Sequence, residues 1–269
     1  MPKKIFSISE QNLLAKDFAT IWKNNAMRSI LILMPLFFAL VIPVIFLVVI
    51  STTSDQSAIL YVRDDIAEIL PDYAKYTAKQ QQYIFFQDYV SPILYIIIPA
   101  ITSSVTTIFL VVGERENETI STLLNCMKAK SILKTKLFCS FINSVTISIV
   151  SFIAVSIVNS VGNMILLVPY FFNLEWLLIL LLFTPVTILL CAYMSLLLTH
   201  NSGNIIHSIS ICGYIGAPLT LWFIGQFSGL FSISSVSFLV LSVLLIIATI
   251  IIYNVKIKHI DDVFLLGDE

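Results

Sequence analysis

Charged residues are scarce in this sequence. Asp, Glu, Lys and Arg make up 12% of its 269 residues, whereas a soluble domain contains about 25%. Hydrophobic residues make up 58%, and they form six uncharged segments of about 20 residues, the length that a helix needs to cross a bilayer core. A soluble all-helical protein is therefore a poor interpretation. The sequence predicts an all-α polytopic membrane protein with spans at Ile30 to Ser51, Ile93 to Val112, Leu137 to Val158, Trp176 to Leu198, Ile205 to Ile224 and Phe231 to Tyr253.

Ionisable residues are missing from the interior of these spans. None of the six contains Asp, Glu, Lys or Arg, although ion-coupled transporters, proton relays and intramembrane hydrolases depend on such residues in the membrane. His207, near the start of the fifth span, is the exception, and its proximity to His200 favours an interfacial hydrogen-bonding role over a proton shuttle. The sequence therefore predicts a non-catalytic chain with no acid, base or metal set.

Cysteine and nucleotide-binding motifs are also sparse. The four cysteines, Cys126, Cys139, Cys191 and Cys212, fall inside spans or on the predicted cytoplasmic face, where no oxidising compartment pairs them. Their spacing matches no zinc pattern. The chain contains no G-x-x-x-x-G-K-[ST] phosphate loop, so it is not expected to bind ATP as transporter motors do. We expect no metal or cofactor in this chain.

Basic residues lie mainly on one side of the predicted membrane. Twelve of the fifteen Lys and Arg residues precede the first span, separate the second from the third, or follow the sixth. The positive-inside rule assigns that side to the cytoplasm. Both termini are then cytoplasmic, and the opposite side has an acidic excess between Asp55 and Asp88.

The segments outside the spans are short, so the chain is predicted to be one transmembrane domain over residues 1–269. Residues 1–28 are predicted to form a cytoplasmic interfacial helix, because Leu14, Phe18, Ile21 and Trp22 recur at helical spacing. Asp17 and Lys16 are predicted on its polar side. Residues 52–91 are predicted to be an external segment with a short amphipathic helix that ends at Pro71.

One cytoplasmic region, residues 113–136, concentrates both signs of charge. Acidic residues come first, the apolar residues Ile120, Leu123 and Leu124 recur at helical spacing, and lysines follow. Carboxylates near the start of a helix and cations near its end both interact favourably with the helix dipole. From these residues alone, an exposed amphipathic helix for a partner and an ordinary solvated loop are equally supported.

The segment from Glu114 to Leu124, ERENETISTLL, followed by Ser131 and Lys136, resembles the signature of ABC-2-type permeases, the membrane subunits of bacterial ABC exporters. That family has an E-[RK]-E-[NR]-x-T-[LM]-x-x-L-L core between its second and third spans. Met127 stands where the family usually has proline, and Thr135 replaces a glycine before Lys136. Both departures fall at the end of the predicted helix and leave its contact face unchanged.

The resemblance implies a permease subunit whose cytoplasmic coupling helix docks on a separate ATPase subunit, which binds ATP and Mg. A second permease chain, identical or different, would complete the substrate path in a bacterial cell (inner or plasma) membrane. Relatives move drugs, peptides, lipids, glycans and sodium, so no substrate class is implied. The residues that the resemblance assigns to ATPase contact are Glu114, Arg115, Glu116, Glu118, Thr119, Ile120, Leu123 and Leu124. A channel or a scaffold that is not driven by ATP is the alternative, although it leaves the charged region unexplained.

Uncharged polar residues mark two further candidate sites. Small polar residues in the second and third spans either pack helices together or line the substrate path, and the path candidates are Thr102, Thr106, Ser144, Ser148 and Ser151. Gly213, Gly216 and Pro218 interrupt the fifth span. The freed backbone groups there must be buried in protein or face water, which predicts an outer gate.

Overall fold

A computed structural model of the protein describes residues 7–52, 75–168, 174–210, 213, 221 and 235–267. Regular secondary structure in these ranges is entirely helical, which confirms the predicted all-α class for the part described. The helices are α1 Ile8–Lys23, α2 Asn25–Thr52, α3 Ala78–Glu116, α4 Ile120–Cys126, α5 Ala129–Leu166, α6 Trp176–Leu198, α7 Ser235–Val255 and α8 Asp262–Leu266.

Five helices among the described residues are long and apolar enough to cross a membrane. They are α2, α3, α5, α6 and a helix over Leu239–His259 that includes most of α7. They overlap the predicted first, second, third, fourth and sixth spans, and they are compatible with a multi-pass membrane protein. The predicted fifth span lies largely outside the described residues, although residues 205–210 are helical.

The helices α3 and α5 are much longer than the predicted spans. They contain 39 and 38 residues, and a rise of 1.5 Å per residue makes each about 57 Å long, nearly twice the thickness of a bilayer core. Thr77 caps α3 with a reciprocal capping box to Gln80. Residues 78–91, predicted to belong to the external segment, are therefore helical and continuous with the second span. The apolar residues of this extension pack against neighbouring helices, and this packing stabilises the helix beyond the predicted span.

Among the described residues, three membrane-length helices contain a π turn that begins six residues before a proline. The proline ring clashes with the carbonyl group four residues earlier, and proline lacks an N–H donor. In each case that carbonyl lies inside the π turn, whose wider spacing accommodates the ring. The turns and their prolines are Phe37–Val41 with Pro43, Phe86–Val90 with Pro92, and Ile179–Phe183 with Pro185.

The helix α3 lies at the centre of the fold, with most of its residues buried. Its middle packs against α6, where the Ser103 hydroxyl donates to the Ile188 carbonyl oxygen at 2.6 Å.

We call one end of the molecule the charged end: α1, the last turn of α3, α4, the first two turns of α5, the turn after α6, and residues 257–267. We call the other the aromatic end, where Tyr83, Phe86 and Tyr89 of α3 pack against α2 and the end of α5.

Candidate functional site

The turn that joins α3 to α4 is closed by the end of α3 itself. The Asn117 side-chain amide donates to the Gly113 carbonyl oxygen at 2.6 Å. The Thr119 N–H donates to the Glu114 carbonyl oxygen at 2.9 Å, and its hydroxyl donates to the Glu114 carboxylate. Glu118 completes the turn with φ of 56°, in the left-handed region that side-chain-bearing residues seldom adopt. Carbonyl groups at a helix end otherwise lack partners, so this turn fixes α4 relative to α3.

The short helix α4 has one face inside the charged end and one face outside. Ile120 is buried, and Leu123 and Leu124 are half-buried against the same apolar cluster. Around them in this cluster lie Leu13, Val111, Ala129, Ile132, Leu133, Leu196, Ile257, Ile260 and Leu265. The other face of α4 exposes Ser121, Thr122, Asn125 and Cys126.

Glu114 joins α3 to two other helices through charge. Its carboxylate oxygen Oε1 lies 2.7 Å from the Lys16 Nζ of α1 and 3.4 Å from the Lys136 Nζ of α5. The Lys136 Nζ also lies 3.5 Å from an Asp17 carboxylate oxygen. Both side chains of the Lys136–Asp17 pair are 1% exposed, and removing either member of such a pair leaves an uncompensated buried charge.

Asp17 is buried, although the sequence predicted it on the polar side of α1. The buried residues of α1 are Glu10, Leu13, Asp17 and Ile21, which lie three or four positions apart and therefore share one face. Burial raises the pKa of the Asp17 carboxyl group above its ordinary value, while Lys136 acts in the opposite direction. The packed face of α1 is thus an ion-pairing face as well as an apolar one.

Glu10 connects the beginning of α1 to the beginning of α5. Its carboxylate accepts a hydrogen bond from the Ser131 hydroxyl and another from the Ser7 N–H at 2.6 Å. The Ser7 hydroxyl accepts from the Glu10 N–H in return, which forms a capping box. The bonds from Ser131 and Ser7 hold the pKa of Glu10 below its ordinary value.

Arg115 lies inside the charged end rather than on its surface. Its guanidinium group donates to the backbone carbonyl oxygens of Thr199, His200, Phe264 and Leu265 at 2.6 to 3.0 Å. The His200 ring also stacks on the Phe264 ring, with centroids 4.0 Å apart. One side chain thereby joins the end of α3 to the turn after α6 and to α8.

Glu116 and Glu118, two other predicted contact residues, are exposed. A Glu116 carboxylate oxygen accepts a hydrogen bond from the Ile205 N–H at 3.2 Å. This bond places a carboxylate at the first turn of the helical residues 205–210, where the helix dipole favours negative charge. The eight predicted contact residues therefore divide into three exposed polar residues, Glu116, Glu118 and Thr119, a half-buried or buried apolar face, and two residues, Glu114 and Arg115, that join helices.

The substrate-path candidates are buried on α3 and α5. Thr106 accepts a hydrogen bond from the Asn143 side-chain amide at 3.3 Å, and the neighbouring Thr107 and Ser140 hydroxyl groups are 2.8 Å apart. The Ser144 and Ser148 hydroxyl groups have no hydrogen-bond partner within the described part of the chain. In this conformation the polar face packs the two longest helices together.

The outer-gate candidates are largely outside the described residues. Gly216 and Pro218 lie beyond them, and Gly213 is exposed, with open space around the position of a Cβ atom. In the described ranges, no group of three or more His, Cys, Asp and Glu residues is placed to hold a metal ion.

Sequence reasoning missed the contributions of α1 and of the chain after the sixth span. The spacing of Leu13, Asp17 and Ile21 is a signal for the buried face of α1, because residues four positions apart share a helix face. Residues 257–267 gave no comparable signal, since it is their own backbone carbonyl groups, at Phe264 and Leu265, that accept hydrogen bonds from the distant Arg115. None of the family models, curated proteins or solved structures compared with the chain matches it.

Proposed function

We propose that this chain is the permease subunit of an ATP-driven ABC exporter and that α4 contacts a separate cytoplasmic ATPase subunit. The observation that carries the proposal is the position of α4. It is a seven-residue helix between two helices long enough to cross a membrane, with one face packed and the other exposed. The segment that begins with Glu114 and ends with Leu124 is also the one that resembles the ABC-2 signature.

The surroundings of α4 support transmission of force rather than simple attachment. Glu114 joins the preceding turn to α1 and α5 through Lys16 and Lys136. Arg115 joins the same turn to the segment after α6 and to α8. A displacement of α4 by a partner would therefore act on all of these elements together. In this proposal Glu116, Glu118 and Thr119 contact the ATPase, whereas Arg115 is a positioning residue.

The transported substrate passes, in this proposal, between this chain and a second permease chain. Thr102, Thr106, Ser144, Ser148 and Ser151 are the candidates for lining that path. They are buried on α3 and α5 in the structure described, so a path along them requires these helices to move apart from their neighbours. The partner ATPase supplies ATP and Mg binding and the energy for that movement.

The charged end faces the cytoplasm of a bacterial cell in this proposal, with both termini on that side. Cysteines introduced at Ser57 and Asn117 test the orientation in whole cells with an impermeant thiol reagent, in a background without the native Cys126. We expect labelling at position 57 and protection at position 117. Labelling of position 117 from outside would reverse the orientation and remove α4 from the reach of a cytoplasmic ATPase.

Copurification tests the proposed contact. The variant Ser121→Arg with Asn125→Arg places two bulky cations on the exposed face of α4, while Gln11→Arg with Asn12→Arg places two on the exposed face of α1. After gentle detergent extraction, we expect the wild type and the α1 variant to retain a stoichiometric ATPase subunit and the α4 variant to lose it. A wild-type chain that purifies alone would favour a channel or a scaffold.

A further inference from the structure

We propose that a cleft between α5, α6 and α7 at the charged end binds one anionic phospholipid. We call it the basic cleft; its volume is 550 Å³, within the range of roughly 300 to 1,000 Å³ that is typical of small-molecule sites. Its lining changes from basic to apolar along the direction of α5. The inference requires the charged end to lie at a membrane surface, but it does not require an ATPase partner.

The polar half of the basic cleft is positively charged. The charged residues of its lining are Lys130, Lys134 and Lys258, and the lining contains no carboxylate. All three lysines are exposed. Glu10 interacts with Lys134 from outside the cleft, but its carboxylate already accepts bonds from Ser7 and Ser131. Lys130 also lines a second pocket with Asp261 and Asp262, but neither carboxylate lines the basic cleft. The charge of the cleft lining is therefore positive, which suits a phosphate-bearing headgroup.

The other half of the basic cleft is apolar. Lys130, Lys134, Leu137 and Phe141 all line the cleft and recur every three or four residues of α5, so they lie on one helix face. The change from ammonium to hydrocarbon takes place over about 17 Å, since each helical residue rises 1.5 Å. Leu189 of α6 lines the apolar half as well. This sequence of surfaces matches a phosphate headgroup followed by an acyl chain.

Two tyrosines belong to the same lining. The Tyr193 and Tyr253 rings have centroids 6.1 Å apart, and both residues line the basic cleft. Tyrosine is enriched where hydrocarbon meets headgroups, because its ring is apolar and its hydroxyl is polar. Free phosphate would use only the lysine half, whereas a phospholipid would use the lysines, the tyrosines and the apolar wall.

Native mass spectrometry of the detergent-solubilised chain tests this site with phosphatidylglycerol and phosphatidylcholine of identical acyl chains. The cleft variant is Lys130→Gln, Lys134→Gln and Lys258→Gln. The matched control, Lys23→Gln, Lys128→Gln and Lys256→Gln, removes the same charge from exposed lysines outside the cleft lining. Each basic residue near an anionic lipid contributes roughly fivefold in affinity, so we expect the cleft variant to lose at least about tenfold in phosphatidylglycerol retention.

A second pair of variants tests the apolar half without changing charge. Leu189→Trp fills the apolar wall, while Leu181→Trp adds the same ring at an exposed position of α6 outside the cleft lining. We expect only Leu189→Trp to lower phosphatidylglycerol retention. Equal losses in the cleft and control lysine variants, no preference for phosphatidylglycerol in the wild type, or full competition by inorganic phosphate would each overturn the proposal. None of these results depends on whether an ATPase copurifies.

Discussion

The two ends of the long α3–α5 pair are stabilised by different interactions, ion pairs at one end and aromatic packing at the other. At the charged end, Lys136 lies between Asp17 and Glu114. At the aromatic end, Phe46 and Phe86 stack with centroids 4.1 Å apart, and Tyr83 packs directly on Gly162. Charge contacts fail when one partner loses its charge, whereas ring packing responds to shape alone. In our account, the end that carries α4 is also the end whose contacts respond to charge.

The largest expected effect of a single change is at Lys136. The variant Lys136→Met keeps most of the side-chain volume but leaves Asp17 and Glu114 without their shared buried cation. Such a loss typically costs about 3 to 5 kcal/mol. The free energy of unfolding in mixed micelles measures it. Lys130→Met, at an exposed lysine of the same helix, is the control and should change stability by no more than about 0.5 kcal/mol.

A double variant shows whether this cost is electrostatic. Glu114 keeps its ion pair with Lys16 in Lys136→Met, whereas Asp17 loses the lysine that lies 3.5 Å from it. Adding Asp17→Asn removes that buried carboxylate, so the double variant should be more stable than the sum of the single changes predicts. Strict additivity would mean that Lys136 stabilises the charged end by packing alone.

Arg115→Lys should have the next largest effect. Lysine keeps the positive charge but lacks the planar fork that reaches four carbonyl oxygens. Two or more of these oxygens would lose their donor, at roughly 1 to 3 kcal/mol for each one that stays buried. Limited proteolysis should then release residues 257–267 before α5 is cut, and wild-type protection of that segment would contradict the assigned role of Arg115.

At the aromatic end, Gly162→Ala should cost less, about 1 to 3 kcal/mol, because overpacking forces local shifts. A methyl group at this position would overlap the phenolic ring of Tyr83. The thermal midpoint in detergent measures the cost, and Tyr83→Leu in the same chain should recover part of it. Because no charge is involved, Gly162→Ala should lose the same stability at low and high salt; a marked salt dependence would weaken the contrast between the ends.

The smallest expected effects concern pH and have opposite signs at two residues of α1. The lowered pKa of Glu10 gives stability that is present above its unfolded pKa and lost as pH falls through the folded value. The raised pKa of Asp17 gives stability that is present at low pH and lost as pH rises through the folded value. Between pH 7 and pH 4, Glu10→Gln should therefore reduce the acid-induced fall of the thermal midpoint, and Asp17→Asn should steepen it. Identical pH profiles for both variants would contradict these signs.

Hydropathy alone located five of the membrane-length helices, because uncharged runs of sufficient length have few alternative structures. It did not give their ends. Residues 78–91 were assigned to the external segment, yet they are helical, and their polar residues Gln82 and Gln87 are buried. The ends of these long helices are stabilised by tertiary contacts. Hydropathy measures the composition of one segment and therefore predicts such contacts poorly.

Part of the candidate site was also predictable, because it is formed by residues that are close together in the sequence. The charged region was visible as a local run of residues, and the turn and α4 form within that run. The residues that hold this region in place include Asp17, 119 positions before Lys136, and Leu265, 150 positions after Arg115. A single sequence records no such long-range pairing, so Arg115 was assigned to a partner contact although its guanidinium faces the chain's own backbone.

Photocrosslinking in cells tests the central claim, that the exposed face of α4 contacts an ATPase, most directly. A photoreactive phenylalanine replaces Asn125 on α4 or, as the control, Ala78, which is exposed at the aromatic end. The account predicts a crosslinked product at position 125 whose second component is an ATP-binding protein, and no such product at position 78. An ATP-binding protein that crosslinks at position 78 and not at position 125 would contradict the account.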